Sequence, residues 1–593
     1  MRNNAPSIDQ NDDMRSSLIL PALLLTLAPI APPAGAEPVV VTVTMHDPRA
    51  LDVSYRMPPS CKALTFVNPG IRAQVAALVR SDWTPAGDCT DIDFQSIRPR
   101  HAACTTLRLR VPATTRARDR RLYDGAHPWA QPFGDGLYAH TAAYAVQDSC
   151  GPVEWRFEAP GGTVMADGVV TAQAATASGA AANPSADTGT SAGAVTDGVP
   201  VLLLAAPFRS DASPFHAEAE IDQATQTRLA ATVRQSLGEL QAMLPALPLR
   251  QGYVLAAASS ASSLRTETPS PNVIRLLVPA TPLPDFQERA RALLGHEAAH
   301  LAQPANWRAT GRDAWREAWQ DDLPAIREGG AEFLRLAASV RLGWLTPAQL
   351  KDEFEAAVNS CLMTLENKPW RAFDQRNGAD NAWRCGLTLH LLGLARINDQ
   401  AGGQGGAQAS ALQRLQDYYA RARAGTPTDV AHALECGAAA GCAPRRLARV
   451  RGAEPLAAIV RDEARSPDSL LHAEPAWGPA LVETMVFRHL EQVMRADCRG
   501  GANIAHDKAA PRIGPGLRCG VLRSGMVVTT AEGLPLFADD RAVKASAQAC
   551  RGAGVTMLGL QDGRSLRVAC GRGVALPQDV FGVDAEKAMA LTK

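Results

Sequence analysis

The stretch Leu293-Leu294-Gly295-His296-Glu297-Ala298-Ala299-His300 constrains this chain more than any other. Residues four apart on an α-helix share a face, so His296 and His300 can present their imidazoles to one metal ion, with Glu297 beside them. Two neutral imidazoles, one further ligand and an open position for water suit zinc. Such an ion lowers the pKa of a bound water, and Glu297 stands where it can take the proton. The surroundings read as a helix. Pro284 occupies a tolerated first-turn position, Asp285 follows near the positive end of the dipole, and Phe286, Ala290, Leu293, Leu294 and Leu301 recur at helical spacing until Pro304.

The N-terminus reads as an address. Met14-Arg15 precedes the apolar run Leu18–Leu27, and Ala34-Gly35-Ala36 is a small-residue cleavage site, so residues 14–36 are expected to be a signal peptide. That run is short and broken by Pro21 and Pro29, and no other stretch is long and apolar enough to span a membrane. A periplasmic or secreted protein is expected. The 12 cysteines agree, since they fall four to a region: Cys61, Cys89, Cys104 and Cys150; Cys361, Cys385, Cys436 and Cys442; Cys498, Cys519, Cys550 and Cys570. Even numbers per region suit disulfides closed within regions, and the absence of any C-x-x-C pair argues against zinc ribbons. Lys plus Arg and Asp plus Glu are both 60, so charge gives no sign of a nucleic-acid partner.

A chain of 593 residues has room for several domains, and the pattern along it reads as multidomain α+β. Residues 37–171 alternate like strands, at Val39–Thr44, Leu107–Val111 and Val153–Phe157, and are expected to form a β-sandwich. Residues 172–198, rich in Ala, Ser, Gly and Thr, read as a flexible linker. Residues 199–345 mix strands (Val201–Leu204, Gly252–Leu255, Val273–Val278) with a helix near Glu218–Leu244 and then the H-E-x-x-H helix. Residues 346–497 read as helices, and 498–582 return to strands, with a frayed tail after them.

A second helix follows the first at Ala325-Ile326-Arg327-Glu328-Gly329-Gly330-Ala331-Glu332, with Pro324 at its expected start. Glu328 offers a third metal ligand, and Glu332, one turn on, can orient a ligand imidazole. Glu317, Asp321 and Asp322 are rival acidic ligands. The spacing excludes the metzincin pattern, because Gln303 and Asn306 stand where that pattern needs Gly and His.

His296 and His300 with a downstream E-G-x-A-E resemble the gluzincin zinc metallopeptidases, in particular the aminopeptidase N and glycyl aminopeptidase branches. The resemblance spans roughly residues 199–395 and implies a thermolysin-like catalytic domain, with His296, His300 and Glu328 as zinc ligands and Glu297 as general base. Ala382-Trp383-Arg384-Cys385-Gly386 is similar to the helix that carries the family's oxyanion-binding tyrosine, so Trp383 stands at the tyrosine's position. Tyr418, Tyr419 and His432 are candidate replacements for the missing phenol. No G-x-M-E-N stretch, which binds a substrate's free amine in aminopeptidases, precedes the helix. Residues 301–327, with Trp307, Trp315 and Trp319, form a longer connection than in aminopeptidase N and are expected to loop. Gly525, Glu532–Leu536 and Asp562–Arg564 resemble the later half of a PDZ domain, which glycyl aminopeptidases often carry.

The expected function is that of an exported zinc metallopeptidase acting on a peptide or protein substrate. The alternative, favoured by Trp383 and by the missing amine-binding motif, is a zinc-binding envelope protein of weak catalytic power that binds peptides or a partner. His101, His127 and His140 are expected in loops or the core, and His390 and His489 in the core or at the surface, rather than as ligands.

Overall fold

The computed structural model describes residues 37–67, 80–114, 129–178, 199–206, 214–259, 264–280, 285–305, 313–365, 379–399, 410–425, 456–466, 469–499, 502, 504–507, 510–514, 518–571, 576–577 and 579–593. The expected signal peptide, Pro284, Trp307, His127, His432, the Cys436–Cys442 pair and most of the expected linker lie outside the described residues.

The first sheet contains β1 (Val39–Asp47), β2 (Ala50–Arg56), β3 (Thr106–Pro112), β4 (Gly136–His140), β5 (Val153–Ala166), β6 (Val169–Ser178) and β7 (Pro200–Leu204). Its order is Thr84–Pro85, β3, β2, β1, β5, β7, β4, Gln131–Phe133, with β6 pairing β5 off that path. Alternation sets the facing of β3: Leu107, Leu109 and Val111 are buried, while Arg108 and Arg110 are exposed. A small sheet of Leu64–Thr65, Thr90–Ile92 and Ser96–Pro99 shares the same core through Leu64 and Ile97. The two layers are thus unequal, nine strands and three, where the sequence suggested a sandwich. Cys61–Cys150 and Cys89–Cys104 cross-link this region.

Two boundaries shift. Strand Val201–Leu204, expected to open the next region, lies within β7 and pairs with β5 and β4. Its leucines are apolar toward both faces, which suits a central strand of a large sheet. β6 runs on to Ser178 and so occupies the start of the expected linker. Small residues suffice there, because the strand is held by backbone hydrogen bonds to β5.

The second sheet has the order β8 (Phe215–Ala217), β9 (Tyr253–Ser259), β11 (Val273–Pro279), β10 (Arg265–Ser270). Strands β8, β9 and β11 are parallel and β10 is antiparallel at the edge. One face packs on α1 (Gln223–Met243) and α2 (Phe286–His300) through Leu229, Val233, Ile274, Leu276 and Leu294. The other face, with Tyr253, Leu255 and Val273, meets Tyr138, Met165 and Leu202 of the first sheet.

Beyond α2 come α3 (Asp313–Arg341), α4 (Pro347–Leu365), α5 (Ala379–Asp399), α6 (Ala411–Arg423) and α7 (Leu456–Ala464). Helix α3 starts well before Pro324, so part of the expected loop 301–327 is helical and the proline lies inside a helix rather than at its start. An interior proline removes one backbone hydrogen bond. The downstream half of α3 is buried at Ala325, Ile326, Ala331, Phe333, Leu334 and Leu336, which anchors the helix regardless. One continuous core joins α1 to α7, with Leu240, Ala299, Phe333, Phe354 and Leu389 in it, so no core boundary falls at residue 345.

The last helix of the expected helical region, α8 (Pro479–Asp497), turns its stripe of Leu481, Met485, Val486, Leu490 and Val493 into a separate core. There it meets α9 (Arg541–Ala553) and the antiparallel sheet of β13 (Val528–Ala531), β14 (Leu534–Pro535), β15 (Val555–Leu560) and β16 (Ser565–Ala569). After this module the chain returns. Strand β17 (Val580–Val583) pairs with β12 (Leu471–Glu474), and α10 (Ala585–Leu591) buries Ala588 and Leu591 in the main helical core. The expected frayed tail is therefore a docked helix, capped at its start by Asp584.

Candidate functional site

Helices α2 and α3 cross where both lack bulk. A Cβ on Gly295 would come within 3.2 Å of the Arg335 side chain. Helices α3 and α5 touch backbone to backbone, because a Cβ on Gly329 would fall 2.1 Å from the carbonyl carbon of Gly386. These contacts bring the polar side chains of all three helices to one place.

Glu328 Oε2 stands 3.1 Å from His296 Nε2 and 3.4 Å from His300 Nε2. The ligand-type atoms of His296, His300 and Glu328 all lie within 4.8 Å of one another. The two histidines are buried and their rings meet edge to face at 4.9 Å. Behind His296, Nδ1 donates to Glu332 Oε2 at 3.0 Å, and Arg335 grips the same carboxylate through bonds of 2.9 and 2.7 Å. Behind His300, Nδ1 meets Gln303 Oε1 at 3.0 Å. Glu297 accepts a 2.8 Å hydrogen bond from the Thr268 hydroxyl on edge strand β10.

The rival acids Glu317, Asp321 and Asp322 sit on α3, but their side chains lie outside the described residues. Trp383 lies against the cluster. Its ring is 4.7 Å from that of His296 and its indole N–H donates to Glu328 Oε2 at 2.9 Å. That donor is therefore committed to the carboxylate rather than aimed at an incoming carbonyl. Tyr418 and Tyr419 are fully buried, and the Tyr419 hydroxyl accepts from Gln303 behind the histidines.

Helix α2 ends at His300, before Pro304, and its last carbonyls are taken by arginines. Arg250 donates to the carbonyls of His300 and Gln303 at 2.8 and 3.1 Å, and Arg423 to those of Leu301 and Ala302 at 2.8 Å each. Cations at a helix C-terminus oppose the negative end of its dipole.

Charge explains the protonation of the cluster. Burial opposes a proton on His296, but the carboxylates of Glu328 and Glu332 overcome it and raise the ring to about 10. Burial would likewise raise Glu328, yet the two imidazoles hold it far below the usual carboxylate range. For Glu332 burial is outweighed by Arg335 first and His296 second, again far to the acid side. The buried Arg335 pairs with Glu332, and the half-exposed Arg327 lies at the rim 3.6 Å from Glu328. In the metal-free protein the adjoining carboxylates of Glu328 and Glu332 therefore favour the protonated form of His296.

The spacing within the sequence pointed to His296, Glu297, His300, Glu328 and Glu332. It did not point to Thr268, Gln303 or Arg335 as partners. Arg335 follows Glu332 by three residues and Gln303 follows His300 by three, so helical spacing could have suggested both. Thr268 comes from a distant strand and carries no such signal.

No protein-family model matches the sequence, and no curated protein matches it. The fold has solved counterparts. A crystal structure of an aminopeptidase N family protein from Idiomarina loihiensis aligns with a TM-score of 0.51 at 11% identity, covering 94% of this chain and 100% of that one. At that identity the likeness is one of fold: this chain is built like a protein of the aminopeptidase N family.

Proposed function

We propose that this chain is an exported zinc-dependent metallopeptidase. The observation that carries the reading is the convergence of His296, His300 and Glu328, from two helices, beside Glu297. The donor set fits zinc. Ligands about 2.0–2.2 Å from a tetrahedral ion lie about 3.3–3.6 Å apart, and the separations of 3.1 and 3.4 Å here are close to that. The excess of carboxylates favours a divalent cation, and Glu332 and Gln303 supply the outer hydrogen bonds that ligand imidazoles need. When bound, the zinc supplies a Lewis acid for water and for the scissile carbonyl.

The protein's own groups do the rest. Glu297 takes a proton from the attacking water and returns it to the leaving amine. Thr268 holds one oxygen of Glu297, leaving the other for the proton. Strand β10 ends its sheet, so its outer edge can pair with an extended peptide beside Glu297. Export is supported by five disulfides among the described residues, each within one region, since such bonds persist in oxidising compartments. Among the described residues no helix is long and apolar enough to cross a membrane.

The commitment of the Trp383 N–H to Glu328 favours a second reading, a zinc protein of low turnover that chiefly binds peptides or a partner. Loss of one oxyanion donor typically costs about 3 kcal/mol, roughly a hundredfold in rate. The test is elemental analysis of protein purified without chelator, then mass spectrometry of a peptide mixture incubated with it. About one zinc per chain and cleavage that disappears in Glu297→Ala, with the metal retained, are expected. Metal near zero that added zinc does not restore would overturn both readings. Full zinc without Glu297-dependent cleavage would leave the second.

A further inference from the structure

The two candidate ligand imidazoles are held differently. His296 is backed by a carboxylate, whereas His300 is backed by the neutral amide of Gln303, which is 1% exposed. An amide can face a neighbour with either end, but here only one end fits. The carbonyl oxygen of Arg327 lies 2.7 Å from the outer atom of the Gln303 amide and can only accept, so that atom must be the NH₂. The same NH₂ also reaches the Tyr419 hydroxyl at 3.3 Å. The oxygen Oε1 must then face His300 Nδ1, 3.0 Å away, and Nδ1 must carry the hydrogen. In the neutral ring that leaves Nε2 as the nitrogen with a free lone pair, and Nε2 is the one turned toward Glu328.

We infer that Gln303 is a positioning residue that fixes the tautomer and the ring orientation of His300. The tautomer assignment stands on the hydrogen bonds alone; its consequence for metal rests on the reading of His300 as a ligand.

The amide is clamped from three elements: the end of α2, the backbone of α3 at Arg327, and Tyr419 on α6. Gly330 leaves room for the clamp. A Cβ there would lie 2.4 Å from the Tyr419 hydroxyl, 3.2 Å from Gln303 Nε2 and 3.1 Å from His390 Nε2. A side chain on that turn of α3 would push Tyr419 or the amide aside and loosen the ring two residues' reach away.

The experiment is nitrogen-resolved NMR of the full chain with labelled histidine, metal-free, at a pH where the His300 ring is neutral. The signal is assigned by its loss in His300→Phe. The expected result is the Nδ1–H tautomer in the wild type. In Gln303→Met, which keeps the volume but offers no strong acceptor, a mixture of tautomers is expected. Tyr419→Phe should keep the wild-type tautomer, because Arg327 still orients the amide. In a chelator competition, Gln303→Met should weaken zinc binding about tenfold to a hundredfold, at an unchanged circular dichroism spectrum. An Nε2–H tautomer in the wild type overturns the inference. So does a folded Gln303→Met variant with the wild-type tautomer and zinc affinity. If Gln303→Met does not fold, the wild-type tautomer still decides. If wild-type protein takes up no zinc, the metallopeptidase reading fails while the tautomer measurement stands.

Discussion

Among the described residues, two buried histidines reach carboxylates in opposite ways. In the helical core, His296 contacts Glu328 and Glu332 directly and is raised to about 10. In the C-terminal module, His489 of α8 reaches a carboxylate only through two hydroxyls. His489 Nε2 lies 2.7 Å from Ser546 Oγ, Ser546 lies 2.6 Å from Thr556 Oγ1, and Thr556 donates to Glu532 at 2.8 Å. The carboxylate can only accept, so every hydrogen in this chain points toward it and His489 donates from Nε2. Its Nδ1 is buried without a hydrogen-bond partner. Burial then lowers His489 to about 4. Two intervening hydroxyls turn a charged cluster into a neutral strut. The lesson is that burial alone does not make a ligand: a carboxylate in contact stabilises the charged ring, whereas one reached through hydroxyls leaves desolvation to win.

The largest break in this contrast should come from Glu328→Gln. It keeps the volume and removes the charge that both imidazoles face, and zinc content after dialysis should fall from about one per chain to near none. Retained zinc would show that the metal, if bound, does not need this carboxylate.

A pH series sharpens the same comparison. The folded value of His296 is above the ordinary 6.5, so the metal-free cluster contributes stability that is full below about 6.5 and is lost as pH rises through about 10. Zinc must displace that proton, so apparent zinc affinity should climb about tenfold per pH unit across this window. Isothermal competition with a chelator at several pH values measures it; a flat profile would mean that the ring carries no proton in the metal-free protein.

A smaller effect is expected from Trp383→Phe. It keeps the ring over His296 and removes the N–H on Glu328, so zinc should bind roughly tenfold more weakly. No change would show that the indole N–H does not help hold Glu328 for the metal.

The smallest effect on metal belongs to His489→Leu, which should leave zinc content untouched. It should instead flatten the acid side of the stability curve. His489 and His390, both fully buried and lowered to about 4, stay neutral in the folded protein while the unfolded chain takes up protons below about 6.5. Stability is therefore present above about 6.5 and lost as pH falls toward 4. Urea melts at neutral and mildly acidic pH should differ less in the variant than in the wild type.

These contrasts also mark how far the sequence could be read. His296 with His300, and Glu328 with Glu332, were legible as pairs because helical periodicity sets which residues share a face, while the choice of Glu328 over Glu317, Asp321 and Asp322 came from its E-G-G-A-E setting. His390 and His489 were legible as core or surface residues rather than ligands, and their full burial is visible only in the fold. Gln303 was legible only as a departure from the metzincin spacing, since its role depends on Tyr419 and the Arg327 carbonyl. The strands and helices were placed by their apolar period, but the partners of strand Val201–Leu204 and helix α8 were not. An apolar stripe states that a face is buried, not against which neighbour. The buried polar knots were least visible, because the elements that form them are brought together only by the fold.

The return of the chain through β17 has a mechanical consequence. Residues 475–579 leave from β12 and come back to β17, two strands that lie side by side. That return point is fastened to α4: Asn359 donates to the carbonyl of Phe581 at 2.8 Å and accepts from its N–H at 3.1 Å, and Glu355 accepts from the N–H of Val583 at 2.9 Å. The C-terminal module is thus fastened at two neighbouring strands, and Met363 of α4 also packs into its core. Two adjacent attachments and a packed face hold a module in one orientation, where a single covalent linker would let it swivel.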